Sequence, residues 1–128
     1  MTTSGPTPAE LAILRVLWRK GPSTVRDVHE AVYGANAAGY TSALKIMQNM
    51  LAKGLVTRTD EARQHVYAAA VSERPTMNRL VRGWIDSAFA GSSLALAMQA
   101  LDARPIPPDE LAQLKAMIER LEREKGDG

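Results

Sequence analysis

Glycine and proline cut the first 71 residues into pieces too short to fold alone. Gly21-Pro22 ends one apolar-striped stretch, Gly34 and Gly39 bracket a second break, and Gly54 closes a third stretch. Between these breaks the apolar residues have helical spacing. Leu11, Leu14 and Trp18 fall at i, i+3 and i+7, with Ile13 and Leu17 widening the stripe; Val25, Val28 and Val32 make a second; Leu44, Met47 and Leu51 a third. Helices of this length nucleate poorly and gain their stability from packing. They therefore need one shared core, predicted to hold Leu11, Leu14, Leu17, Trp18, Val25, Val28, Val32, Leu44, Met47 and Leu51.

The boundaries carry their own signals. Thr7-Pro8-Ala9-Glu10 reads as a capping box with proline at the first helical position. Thr24 and Asp27 form a weaker box for the second helix, and Thr41 is expected to cap the third, which Gly54 stops in a left-handed conformation. Residues 34–39, with Asn36 and several alanines, read as a flexible loop, and residues 1–5 as a disordered tail. Residues 55–59 and 64–68 alternate as two short strands around a polar turn at 60–63, a β-hairpin pattern. Three helices followed by a two-stranded wing make a winged helix-turn-helix. The expected architecture is mainly α: a winged-helix domain over residues 1–71 and a helical dimerisation region over 72–128.

In the second region, residues 72–75 read as a break. Met77, Leu80, Val81, Trp84, Ile85 and Ala88 then form a long amphipathic stripe, interrupted at Gly91-Ser92. Leu94, Met98 and Leu101 mark a short helix, and the prolines between Arg104 and Pro108 form a rigid connector. Leu111, Leu114, Ile118 and Leu121 follow 3-4-3 spacing, the pattern of a coiled-coil seam, with Glu119/Arg123 and Arg120/Glu124 as i,i+4 pairs on the solvated side. This region lacks the bulk for a core of its own. Its stripes, through Leu80, Trp84, Leu94, Met98, Leu111, Leu114, Ile118 and Leu121, are expected to pack on a second copy; the alternative folds them back on the winged domain.

The charge pattern points to a partner for the third helix. Residues 1–70 carry eight Lys/Arg against five Asp/Glu, and no acid occurs from residue 31 to 59. A helix that keeps Thr41, Ser42, Lys45, Gln48, Asn49 and Lys53 but excludes acids suits a polyanion. Lys meets phosphate, amides pair with base edges, and a helix N-terminus offers free N–H groups to phosphate at Thr41 and Ser42. Tyr40 is either a phosphate contact or a half-buried core residue. Arg58, Arg63, Gln64 and His65 lie on or near the wing, where Arg63 at the tip can reach phosphate or a narrow minor groove; otherwise it balances Asp60 and Glu61. Arg26 either holds the DNA backbone or pairs with Glu30, and His29 is structural or solvent-facing. Met47, Met50, Met77, Met98 and Met117 read as core filler rather than a ligand pocket, and Trp18 and Trp84 as core anchors.

Catalysis finds no support. There is no cysteine, only His29 and His65 are available, and HExxH is absent. The glycines at 34 and 39 are followed by Tyr40 where a phosphate loop needs lysine, and Gly91-Ser92-Ser93 lacks the second glycine of a nucleophile elbow. No metal or cofactor is expected. The N-terminus lacks the basic and apolar runs of a signal peptide, and no stretch is apolar over the ~18 residues a membrane span needs. A cytoplasmic protein without membrane insertion is the expectation.

The order of these pieces resembles the BlaI/MecI-type penicillinase repressors. The residues carrying it are Pro8-Ala9-Glu10-Leu11 and Val16-Leu17-Trp18, then Ser23-Thr24-Val25-Arg26-Asp27-Val28-His29-Glu30. Tyr40-Thr41-Ser42-Ala43-Leu44, Leu51-Ala52-Lys53-Gly54-Leu55-Val56 and His65-Val66-Tyr67 continue it. The resemblance implies a homodimeric repressor on a palindromic operator, with the third helix in the major groove and the wing on flanking DNA. It also implies release through a membrane-bound sensor metalloprotease and cleavage in the dimerisation region. Staphylococcal members are cut between Asn and Phe, where this chain has Ala97-Met98. The cysteine cluster of the copper-responsive CopY branch is absent, which excludes copper sensing of that kind. Two other readings share the fold: a small-molecule-responsive regulator of the MarR or PadR kind, and a winged-helix adaptor that binds protein only.

Overall fold

A computed structural model describes residues 5–34 and 39–127. Most of the predicted tail and of the predicted 34–39 loop lies outside the described residues. The first helix, α1 (Pro8–Lys20), begins at the predicted capping box. Glu10 N donates to Thr7 Oγ1 at 3.2 Å and Thr7 N donates to Glu10 Oε1 at 3.0 Å. The second box forms too: Asp27 N donates to Thr24 Oγ1 at 3.1 Å at the start of α2 (Val25–Tyr33). The third helix, α3 (Tyr40–Lys53), ends as predicted at Gly54 (φ 82°) but is not capped by Thr41. Gly39, at φ 105°, takes the N-cap position and offers no side chain. Thr41 thus falls inside the first turn, and the amides of Tyr40, Thr41 and Ser42 precede the first intrahelical bond, Ala43 N to Gly39 O.

The hairpin runs through β2 (Val56–Glu61) and β3 (Gln64–Ala69). A two-residue strand that the periodicity did not reveal, β1 (Ser23–Thr24), pairs antiparallel with β3, giving the order β1-β3-β2. Its register sets Ser23 opposite Tyr67 and Thr24 opposite Val66.

One core joins these elements: Ile13, Leu14, Leu17, Val25, Val28, Ala43, Met47, Met50, Val56 and Tyr67 are buried. The buried line of α3 is therefore Ala43, Met47 and Met50, at i, i+4 and i+7, rather than Leu44, Met47 and Leu51. Leu44 and Leu51 pack at its edge, as do Trp18 and Val32. Small Ala43 lets α3 approach α1 and α2 closely, and the two flexible methionines fill the remaining space. Trp18 also fastens the end of the wing, its Nε1 donating to Val71 O at 2.9 Å.

Tyr67 is fully buried, and its hydroxyl has no partner among the described residues. A buried, unpaired hydroxyl costs more than it returns. Tyr67→Phe is accordingly expected to be neutral or to stabilise the protein by up to ~1 kcal/mol in urea unfolding. A loss of more than ~1 kcal/mol would show that the hydroxyl is paired in solution.

The chain divides into two compact units, one up to Arg82 and one from Gly83. The division falls inside α4 (Glu73–Ala88), which begins earlier than predicted. Pro75 sits in its first turn, where a missing N–H costs nothing, so residues 72–75 start the helix rather than break it. The turn Ala90-Gly91, both at positive φ, ends α4. Ser92 then caps α5 (Ser93–Ala103), its side chain accepting from Ala95 N at 2.9 Å. Pro108 opens α6 (Pro108–Asp127), where the predicted Arg120–Glu124 pair forms at 3.7 Å.

Candidate nucleic-acid interface

Three segments far apart in sequence meet in one cleft of about 400 Å³. The start of α2 contributes Thr24, Val25, Arg26 and Asp27; the start of α3 contributes Tyr40 and Leu44; the wing contributes Arg63, Gln64 and His65. The short β1 explains the meeting. By pairing Thr24 with Val66 it holds the first turn of α2 beside the wing, which carries Arg26 toward Arg63 and His65. Four residues predicted separately as DNA contacts, Arg26, Tyr40, Arg63 and His65, thus share one concavity. Gln64 joins them, and Thr24, Asp27 and Leu44 are lining residues that charge and motif reasoning missed. For Thr24 and Asp27 the sequence signal is the capping box that places the α2 N-terminus; Leu44 reads only as part of the apolar stripe of α3.

Nearby acids are partly engaged. The carboxylate of Asp27 accepts from Thr24 N in the capping box, and Asp60 lies across the hairpin from His65 and hydrogen-bonds its Nδ1. Arg26 and Arg63 have no acidic partner among the described residues, so neither the Glu30 pair nor the Asp60/Glu61 balance forms. Tyr40 is 45% exposed, with its ring edge-on to His29 at 6.1 Å. His29 is buried and also stacks obliquely on Tyr33, so it is structural rather than solvent-facing. Arg58 is exposed on β2, opposite Tyr67.

Beside the cleft, Thr41, Lys45 and Gln48, at i, i+4 and i+7, make the exposed ridge of α3 opposite its buried line. Ser42 and Asn49 flank that ridge. Asn49 lines a separate groove with Thr7, Glu10 and Lys53, toward α1. Lys53 differs from the other cations: its Nζ donates to both Glu10 carboxylate oxygens, at 2.9 and 2.8 Å. It joins α3 to α1.

Burial pushes the Glu10 carboxyl up, but hydrogen bonds from Lys53 and the Thr7 amide outweigh it, and the group titrates below its ordinary 4.5. A lowered folded-state pKa adds stability above the unfolded value and loses it as pH falls through the folded one. Glu10→Gln keeps the cap but not the charge, so it is expected to cost ~1 kcal/mol at neutral pH. Urea unfolding at about pH 3 should show that difference shrinking toward zero. A cost that does not change with pH would assign it to packing.

The wing tip stores backbone strain. Ala62 and Arg63 lie at φ 47° and 66°, the positive pair that a two-residue type I′ turn requires. Each non-glycine residue there costs roughly 1 kcal/mol. Arg63→Gly is expected to raise stability by about that amount and to weaken DNA binding about tenfold, ~1.4 kcal/mol, through the lost guanidinium. Thermal unfolding and anisotropy titration on the same variant separate the two effects. Unchanged affinity would remove Arg63 from the interface.

In the second unit, Trp84 is 48%, Leu94 68% and Met98 61% exposed. Leu111, Ile118 and Leu121 are also exposed, whereas Leu114 is half-buried. Leu80 is half-buried in the first unit, close against Gly5. Trp84 and Met98 are thus not core residues of a single chain. Ala97 and Met98 are exposed within α5. Among the described residues no helix is long and apolar enough to cross a membrane.

The profile of the penicillinase repressor family matches residues 6–120. The chain belongs to that family. It is 30% identical over 124 residues to the transcriptional regulator BlaI of Mycobacterium tuberculosis, in both strain CDC 1551 and strain H37Rv. The alignment covers 92% of this chain and 86% of the relative. Among solved structures, a transcriptional regulator from Pseudomonas aeruginosa aligns with a TM-score of 0.48 at 18% identity, covering 91% of this chain and 78% of its own. The predicted winged fold and the BlaI/MecI resemblance both hold, and the chain is a BlaI-like transcriptional repressor.

Proposed function

We propose that the protein represses transcription as a homodimer on a palindromic operator, each head laying α3 in the major groove with the wing on flanking DNA. The supporting observation is the shared cleft of Arg26, Tyr40, Arg63 and His65 beside the acid-free ridge of Thr41, Lys45 and Gln48. The amides of Tyr40, Thr41 and Ser42, which precede the first intrahelical bond of α3, add a positive dipole end for a phosphate. Lys45 and the wing cations supply salt-sensitive affinity, while Gln48 and the hydroxyls select bases. Two heads on one duplex would read half-sites about one helical turn, or a multiple of it, apart.

Dimerisation through the helical region, residues 72–128, has its own support. Of ten large hydrophobic side chains exposed among the described residues, eight lie after Arg82. Apolar exposure on this scale marks an interaction surface. Ile118 alternates with Leu114 and Leu121 in the a/d pattern that suits paired helices. Release by a membrane-bound sensor metalloprotease is the route the family implies. Here the aligned pair, Ala97-Met98, sits within a helix, so cutting there requires α5 to open locally first.

Selection of bound duplexes from a random pool, followed by anisotropy at several salt concentrations, tests the reading. An inverted repeat with a steep salt slope is expected. Failure to retain any duplex at low ionic strength would exclude it and favour a protein-binding adaptor.

A further inference from the structure

A second cleft, of about 440 Å³, lies wholly in the first unit, away from the wing tip. The end of α3 contributes Lys53 and Gly54, the adjoining chain Leu55, the end of the wing Val71, and the first turns of α4 Thr76 and Arg79. Pro6 closes one side. The segment carrying it is packed down on α4: a Cβ at Gly5 would come within 2.8 Å of Leu80 Cδ2.

The lining combines two chemistries. Pro6, Leu55 and Val71 supply hydrocarbon; Lys53, Arg79 and the 9%-exposed Thr76 supply polar groups. The two cations are not equivalent. Lys53 has two hydrogen bonds to Glu10, whereas Arg79 has no acidic partner among the described residues. The cleft therefore presents one uncompensated positive charge beside an apolar wall. That balance favours one negative charge over the nearly two of a phosphate monoester. It also favours a hydrocarbon body over a hydrated inorganic ion. A guanidinium binds carboxylate through two parallel N–H bonds, and the volume lies within the range of small-molecule sites.

We propose that this cleft binds a small organic monocarboxylate with an aromatic or short aliphatic body, its carboxylate on Arg79 and its hydrocarbon against Pro6, Leu55 and Val71. The site spans the C-terminal end of the recognition helix and the start of α4. A ligand held there contacts both and biases any rearrangement between them. Binding itself is independent of the operator reading and is measured without DNA.

The experiment titrates the full-length protein with 4-phenylbutyrate, benzoate and octanoate, followed by calorimetry and amide chemical shifts. Acetate serves as the charge without a body, and 4-phenylbutanol as a body without charge. Saturable binding by at least one of the three is expected, with shifts centred on Gly54, Leu55, Val71 and Arg79. Acetate and the alcohol should bind at least about tenfold more weakly. Arg79 is exposed, so Arg79→Ala should fold normally while losing about tenfold in affinity, and Arg79→Lys should recover part of the loss. No saturable binding by any of the three overturns the proposal. So do equal binding of the alcohol, shifts centred elsewhere, or an Arg79→Ala variant that binds as wild type.

Discussion

Leu114→Asp combined with Leu121→Asp is expected to convert the protein to a monomer and to weaken operator binding by on the order of 10²- to 10⁴-fold, the usual gain from tethering two binding modules. Both residues lie on the α6 stripe, and Leu121 is 49% exposed in a single chain. In a dimer each would bury only the surface still exposed in a single chain, roughly 0.5–1.5 kcal/mol apiece, and each aspartate would replace that with a carboxylate to desolvate. The head should survive the change. Its core cluster and the hydrophobics packed on it run from Ile13 to Val71 and include nothing from α5 or α6. Salt-sensitive, non-specific DNA binding by each head should therefore persist while operator selectivity collapses. Sedimentation equilibrium and anisotropy on the same sample distinguish these effects. An unchanged dimer would move the interface away from the α6 seam, and a monomer with full operator affinity would show that tethering contributes nothing.

How much of this was readable in advance depends on the range of the interaction. Both capping boxes and the Gly54 stop were legible because each is set within three or four residues. The wing was legible from alternation, although its tip was not: Ala62 and Arg63 adopt positive φ without the Asn-Gly signature that would announce it. The Thr41 cap was misplaced because Gly39 meets the same need through its backbone. The apolar stripe directs the α3 core about 65° from its true direction, since Leu44 and Leu51 outrank Ala43 in hydrophobicity whereas packing favours the smaller side chain. The largest gap concerned the site. Arg26, Tyr40, Arg63 and His65 were individually legible as candidates, but their convergence depends on β1, two residues whose only strand signal is their partner in β3. Nor could composition tell Lys53 from Lys45. Both sit in an acid-free stretch, yet the acid that takes Lys53 is Glu10, 43 residues away in sequence.

That distinction yields the second large effect. Lys45→Ala is expected to weaken operator binding by roughly ten- to a hundredfold, because a dimer loses the contact twice. If Lys45 meets phosphate, the slope of log affinity against log salt should flatten by ~2 per dimer, with all duplexes weakened alike. If it reads a base edge, selectivity at one position of each half-site should relax instead. Lys53→Ala removes the same charge from the same helix but should behave differently. It strands the Glu10 carboxylate, which is 5% exposed, at an expected cost of ~1–3 kcal/mol in stability, and it should leave the salt slope nearly unchanged. The comparison tests geometry against composition. Equal effects of the two lysines on DNA binding would mean that a diffuse positive field governs association. An effect confined to Lys45 would assign the operator-facing surface to the ridge of Thr41, Lys45 and Gln48. Unchanged affinity of Lys45→Ala across the whole salt titration would take α3 out of the groove.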